Sequence, residues 1–206
     1  MDKQYIFVST ILNSRSRASV TIEFAIIFPI LVLLALILLD FTSLYANESR
    51  LARTGSSLAS VLRERTLLYG KNETVTQSQV DELYLVANEL LAKSQLFDKV
   101  SINVQAVYFS DSSTKNKKVI DSKKTINIIK SSTVNPVSCN PVNDIESNAI
   151  IALSVWSGDL GGTKRWLPVY QITLCVKGDE SYFLKALSYT GAVAPSVISS
   201  NAVVSR

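Results

Sequence analysis

The sequence predicts an α+β fold: a long N-terminal transmembrane and amphipathic helix followed by a small mixed head domain with an antiparallel sheet. Three observations carry the prediction. Residues 24–39 read FAIIFPILVLLALILL, sixteen positions without a charge. Beyond them Leu44, Leu51 and Leu58 recur at seven-residue intervals among charged neighbours, the pattern of a helix with one apolar stripe. Later, Val100, Ile102 and Val104 alternate with Ser101, Asn103 and Gln105, the period of a strand.

With Val20, Thr21, Ile22 and Phe41, the apolar run reaches the roughly 20 residues needed to cross a bilayer as a helix. It is apolar all round, so it needs burial on every side. Lys3, Arg15 and Arg17 precede it against Asp2, so the basic flank stays cytoplasmic and everything after Asp40 is translocated. A cleaved secretory signal is the competing reading. It would have a core of about 7–15 residues and small residues at the exit. Here the core is longer, and the best exit, after Ala46, has Leu44 where a small residue belongs.

Composition narrows the function classes. The chain has 206 residues, a net charge of +4, 47% hydrophobic and 18% charged residues, and no histidine. Without histidine, imidazole-based triads and histidine zinc sites are excluded. No catalytic, cofactor or metal constellation is expected, and the chain does not read as an enzyme. The positive charge concentrates between Asp111 and Lys130, where six lysines (115, 117, 118, 123, 124 and 130) face two aspartates. That is a solvated loop or a contact with an anionic surface, and not the aromatic-interleaved stripe of a nucleic-acid binder. Cys139 and Cys175 lack CxxC spacing. In an oxidising compartment they form one disulfide, and the alternative is two buried thiols.

Glu23 interrupts the apolar run between Ile22 and Phe24. A carboxylate at mid-membrane costs about 2.5–3.5 kcal/mol on insertion scales, so such a residue is a functional candidate. No Lys or Arg lies in residues 24–39. Its partner would be the lipid interface, a neighbouring chain or a newly made amino terminus. Pro29 removes one backbone donor and is expected to bend the helix, which spans tolerate when neighbours compensate.

The string Ala18-Ser19-Val20-Thr21-Ile22-Glu23-Phe24 resembles the prepilin processing motif of type IVb Flp pilins. The family has Gly before the cut, and this chain has Ala18. The run Glu23-Phe24-Ala25-Ile26-Ile27-Phe28-Pro29 is similar to the TadE/TadF pseudopilins of the tight-adherence system, and RLARTGSSLASVLRERTLLY (50–69) with the late cysteine pair resembles TadF more than TadE. The resemblance implies cleavage between Ala18 and Ser19 by a prepilin peptidase, with Glu23 as the fifth mature residue. It implies residence in the bacterial inner membrane with a periplasmic head, and partners among the other pilins and pseudopilins of the system. It also implies a role in a pilus that supports adhesion and biofilm formation. The competing function is a single-span periplasmic interaction protein that never enters a filament.

The expected organisation is a cytoplasmic leader at 1–18, the transmembrane helix at 19–41, its amphipathic extension at 42–70 and the head at 71–206. One nearly continuous helix is expected over 20–69, with a weak point at Gly55-Ser56-Ser57 and Gly70 as its cap. Its stripe of Leu51, Leu58, Val61, Leu62 and Leu68 packs on its own head or on neighbouring subunits. A second helix, capped by Thr76 or Ser78, ends near Ser94. Strands are expected around 100–105, at 125–129, at 149–156 and at 169–176, with loops at 131–148 and 158–162. A short helix at 182–189 and a small-residue tail follow. GDLGGTK (158–164) lacks phosphate-loop spacing and reads as a turn. Asn72-Glu73-Thr74 matches a glycosylation acceptor, a pattern common by chance. Asp159, Asp179 and Glu180 read as surface turn charges.

Overall fold

The computed structural model describes the backbone of residues 3–65, 73–94, 96–160, 164–177 and 197–206, and their side chains from Ile22 onward except at 159 and 160. The chain divides into two compact units, Met1–Leu44 and Tyr45–Arg206.

Helix α1, Lys3–Arg63, begins well before the expected position 20. No Gly or Pro occurs from residue 3 to 28, so nothing in the leader sequence interrupts helical propagation. The helical assignment is continuous through Pro29 and through Gly55-Ser56-Ser57. In the first unit the apolar side chains point outward: Ile22 is 62% exposed and Leu39 65%. A helix that exposes this much hydrocarbon in isolation needs a non-aqueous surround. Among the described residues it is the one helix long and apolar enough to cross a membrane. Past the apolar stretch, Thr42 and Ser43 return their hydroxyls to the carbonyls of Leu38 and Leu39, at 2.7 and 3.0 Å.

The second unit is an antiparallel four-stranded sheet with its two long helices packed on one face. β1 (Ser101–Val107), β2 (Ile126–Lys130), β3 (Val169–Lys177) and β4 (Val197–Ser205) lie in the order β2-β1-β3-β4. The register pairs Val104 with both Ile128 and Ile172, and Ile172 with Ala202. Helix α2 spans Gln77–Leu90 with Thr76 as its N-cap residue, whose N–H is taken by Gln79 Oε1 at 3.2 Å.

The main core lies between helices and sheet. Leu51, Leu58 and Leu62 of α1 and Val80, Leu83 and Ala87 of α2 bury against Ile102 and Val104 of β1 and Ile172 and Leu174 of β3. Each fully buried aliphatic side chain contributes about 1.5–3 kcal/mol. The leucine stripe therefore packs on its own head, the first of the two alternatives. Val61 is an exception, exposed beside the stripe, and Leu68 lies outside the described residues. Gly55 faces the sheet; a Cβ there would stand 3.8 Å from Leu174 Cδ1 and from Ala202 Cβ.

Two expected elements differ. Residues 149–156 are not a strand: α3 (Asn148–Ile151) is a single helical turn, and only Trp156 bridges to Trp166. An apolar run this short fits helix or strand, and the helical turn buries Ile150 against Val107, Ile145 and Val169. Within the small-residue tail, Val197–Ser205 is strand β4, nine residues long and hydrogen-bonded along the whole of β3. The expected turn around 158 begins as a 3₁₀ turn (Ser157–Leu160), between Trp156 and Trp166, which are bridged antiparallel. The expected helix at 182–189, the Gly70 cap, residues 161–163 of the glycine-rich turn, Asn72, Asp179 and Glu180 lie outside the described residues.

β1 also departs from half-burial, because both of its faces are covered. Its polar face carries Asn103, and the neighbouring β3 carries Gln171. Asn103 Nδ2 donates to the carbonyl of Cys139 at 2.8 Å, and Gln171 Nε2 to that of Asn143 at 3.0 Å. Ser132 donates its N–H to Ser101 Oγ at 3.0 Å. The segment 131–147 is thus tied across the sheet by side-chain amides and a hydroxyl that match its backbone groups. The Cys139–Cys175 disulfide fixes the same segment to β3 across 36 positions of sequence, with Cα atoms 5.4 Å apart. A loop closure of that length contributes roughly 3–4 kcal/mol. Reducing the full-length protein should lower its melting temperature by an amount equivalent to roughly 3–4 kcal/mol, and a Cys139→Ala/Cys175→Ala double variant should melt like the reduced protein whatever the redox buffer. An unchanged melting temperature on reduction would sink this account of the segment.

Candidate functional site

The residues singled out for processing and assembly lie on α1. Ala18 and Ser19 sit within its helical backbone, five and four positions before Glu23. Glu23 and Phe24 are both exposed at the start of the apolar run. The Phe24 and Phe28 rings stack one turn apart, with centroids 5.4 Å from each other. Pro29 follows, so the carbonyl of Ala25 lacks its helical donor.

The head contains a polar centre that sequence patterning did not single out. It is built around Glu73, between α1 and α2. Arg65, just past the end of α1, is fully buried. Its Nη1 donates to the Glu73 carbonyl at 2.6 Å, and its Nη2 to the Thr74 carbonyl at 2.7 Å and to Gln79 Oε1 at 2.5 Å. Tyr108, beyond the end of β1, donates to the same Glu73 carbonyl at 2.8 Å and accepts the Val75 N–H at 3.0 Å. Tyr170 of β3 reaches that carbonyl at 3.4 Å, and the Arg65 guanidinium lies 6.0 Å from the Tyr170 ring centroid. The Glu73 carboxylate takes a two-pronged pair from Arg165, one arm at 2.7 Å, and a further bond from Arg206. A fork-on-fork guanidinium–carboxylate pair is among the stronger and more directional polar contacts.

Beside this centre opens a cavity of about 340 Å³. Glu73, Asp111, Lys124, Arg165 and the rings of Phe109 and Trp166 contribute to its lining. No single motif gathers these residues in the sequence, because they come from four separate segments, and Asp111 and Lys124 belong to a lysine-rich stretch that reads as a solvated loop. The only available signal is the Arg-Trp pair 165–166 at the entry to a strong strand.

Burial pushes the Tyr170 phenol well above its ordinary range, and the neighbouring Tyr108 phenol adds to the effect. Burial also raises Tyr108, partly offset by the hydrogen bond from Val75. A phenol with a raised folded-state pKa holds its proton more tightly in the native chain than in the unfolded one. Its contribution is complete below the unfolded value of about 10 and is lost as pH rises toward the folded value. Stability measured by urea unfolding should therefore fall as pH rises above about 10, and Tyr170→Phe should show a shallower decline over the same interval. Parallel pH profiles for the two proteins would refute this assignment.

A comparison with protein-family models places these elements in context. The model described as "Putative tight adherence pilin protein F" (TadF) matches residues 11–206, which takes in Ala18, Glu23, both cysteines and the whole head. No curated protein and no solved structure shows a significant match. With nearly its whole length covered, the chain belongs to the TadF family of tight-adherence pilin proteins.

Proposed function

We propose that this chain is a minor pilin or pseudopilin of a tight-adherence pilus, held in the inner membrane by its apolar helix until assembly. The family membership over residues 11–206 carries the reading. The outward-facing apolar side chains of residues 22–39 support it, since they suit either lipid or a bundle of similar helices. In this reading a prepilin peptidase cuts between Ala18 and Ser19 on the cytoplasmic side. The helix then leaves lipid and packs against other pilin helices, with any bend at Pro29 fitting it to its neighbours. The carboxylate of Glu23 is offset by the ammonium of Ser19 on an adjacent subunit. Leaving one member of a buried charge pair uncompensated costs about 3–5 kcal/mol, so the pairing sets axial register. The head, periplasmic before assembly, initiates, caps or decorates the filament and supports adhesion and biofilm formation.

Intact-mass measurement of the protein from its native host should give a chain beginning at Ser19. Retention of residues 1–18 would instead favour a single-span interaction protein outside any filament. Glu23→Ala should insert in the membrane normally, yet co-purify with partner pilins at least about tenfold less, the equivalent of ~1.4 kcal/mol. Wild-type recovery of partners would remove Glu23 from the assembly mechanism.

A further inference from the structure

The cavity beside Glu73 is not explained by filament assembly. Its volume of about 340 Å³ falls at the small end of the roughly 300–1,000 Å³ typical of small-molecule sites. Two carboxylates, Glu73 and Asp111, and two cations, Lys124 and Arg165, line it. With the signs balanced, the lining does not select a simple anion or cation. It presents acceptors and donors around one opening, which is what a ligand rich in hydroxyls requires, because each hydroxyl both donates and accepts.

The aromatic part of the wall is held in place before any ligand arrives. The Trp166 indole N–H donates to the Thr114 carbonyl at 2.9 Å. Lys118 Nζ lies 4.3 Å from the Trp166 ring centroid and is itself anchored on the Ile151 carbonyl at 2.7 Å. The Trp156 ring meets Trp166 edge-on at 5.4 Å, and Phe109 lies tilted at 6.5 Å. A fixed aromatic surface loses little conformational entropy when an apolar face is laid on it. An apolar C–H face bordered by hydroxyls is the shape of a pyranose ring.

We propose that this cavity binds a mono- or disaccharide. The sugar lies against Trp166 and Phe109, Asp111 and Glu73 accept from its hydroxyls, and Lys124 and Arg165 donate to them. The site is built wholly within the head and does not depend on how the N-terminal helix is processed.

The chain has two tryptophans, and both belong to this cluster, so intrinsic fluorescence reports on the site directly. The full-length protein, in a detergent without a sugar headgroup, is titrated with cellobiose, N,N′-diacetylchitobiose and digalacturonic acid, with inorganic phosphate as the charge control. At least one disaccharide should give a saturable change with a Kd of about 1 mM or tighter. Asp111 is exposed, so Asp111→Ala should keep the wild-type melting temperature while weakening that disaccharide about tenfold, the loss of one good charge-assisted hydrogen bond. Trp166→Ala, followed by calorimetry, should abolish binding. The proposal is overturned if none of the three disaccharides binds, if Asp111→Ala binds as wild type does, or if phosphate alone gives a saturable response.

Discussion

The head depends on one residue at which its elements meet. The backbone carbonyl of Glu73 receives the buried Arg65 from the end of α1, Tyr108 from beyond β1 and Tyr170 from β3. Its side chain receives Arg165 from before β3 and Arg206 from after β4. Burying a guanidinium is costly unless its donors are met. Here three oxygens lie within 2.7 Å of Arg65, and two of them are backbone carbonyls that no substitution at positions 73 or 74 removes. The cost of desolvation is thereby turned into a constraint on the chain path between α1 and α2. Outside that cluster the apolar core between helices and sheet supplies most of the driving force. It is non-directional and would tolerate sliding. The Glu73 centre supplies direction.

The sheet is stabilised differently on its two faces. One is packed with aliphatic side chains of α1 and α2. The other carries Asn103 and Gln171 and is covered by the segment 131–147, through hydrogen bonds, the disulfide and a small apolar cluster of Val107, Ile145, Ile150 and Val169. Hydrophobic burial alone would not hold a polar loop over a sheet. The covalent bridge limits the loop's freedom, and the amide side chains meet its backbone groups. Cys175 sits in β3 among these polar neighbours, so the bridge reaches the sheet on its polar side.

Much of this was legible in the sequence where a single force dominates. The span at 24–39, the stripe of Leu51, Leu58 and Leu62, the Thr76 cap, and strands β1, β2 and β3 follow from periodicity and local chemistry. Periodicity gave less where tertiary pairing decides. Residues 149–156 carry strand-forming side chains, but as the single turn α3 they place Ile150 in an apolar cluster with Val107, Ile145 and Val169. Val197–Ser205 is rich in small polar residues, yet it pairs with all of β3. The Glu73 centre was invisible for another reason. Arg65, Tyr108, Arg165 and Arg206 are scattered along the chain, and each on its own resembles an ordinary surface or strand residue. The proposed processing and assembly positions, by contrast, are short-range features, and Ala18 and Glu23 stood out because of their place at the mouth of an apolar helix.

The lysines between positions 111 and 130 gain a role from the order of the strands. β2 stands at the margin of the sheet, and among the described residues no strand pairs with its outer side. It is only five residues long, preceded by Lys123 and Lys124, and closed by Lys130, which reaches Asp81 at 3.1 Å. Short margins studded with lysine resist docking onto another molecule's strand. Such guarding makes β2 a poor template on which a second molecule could extend the sheet.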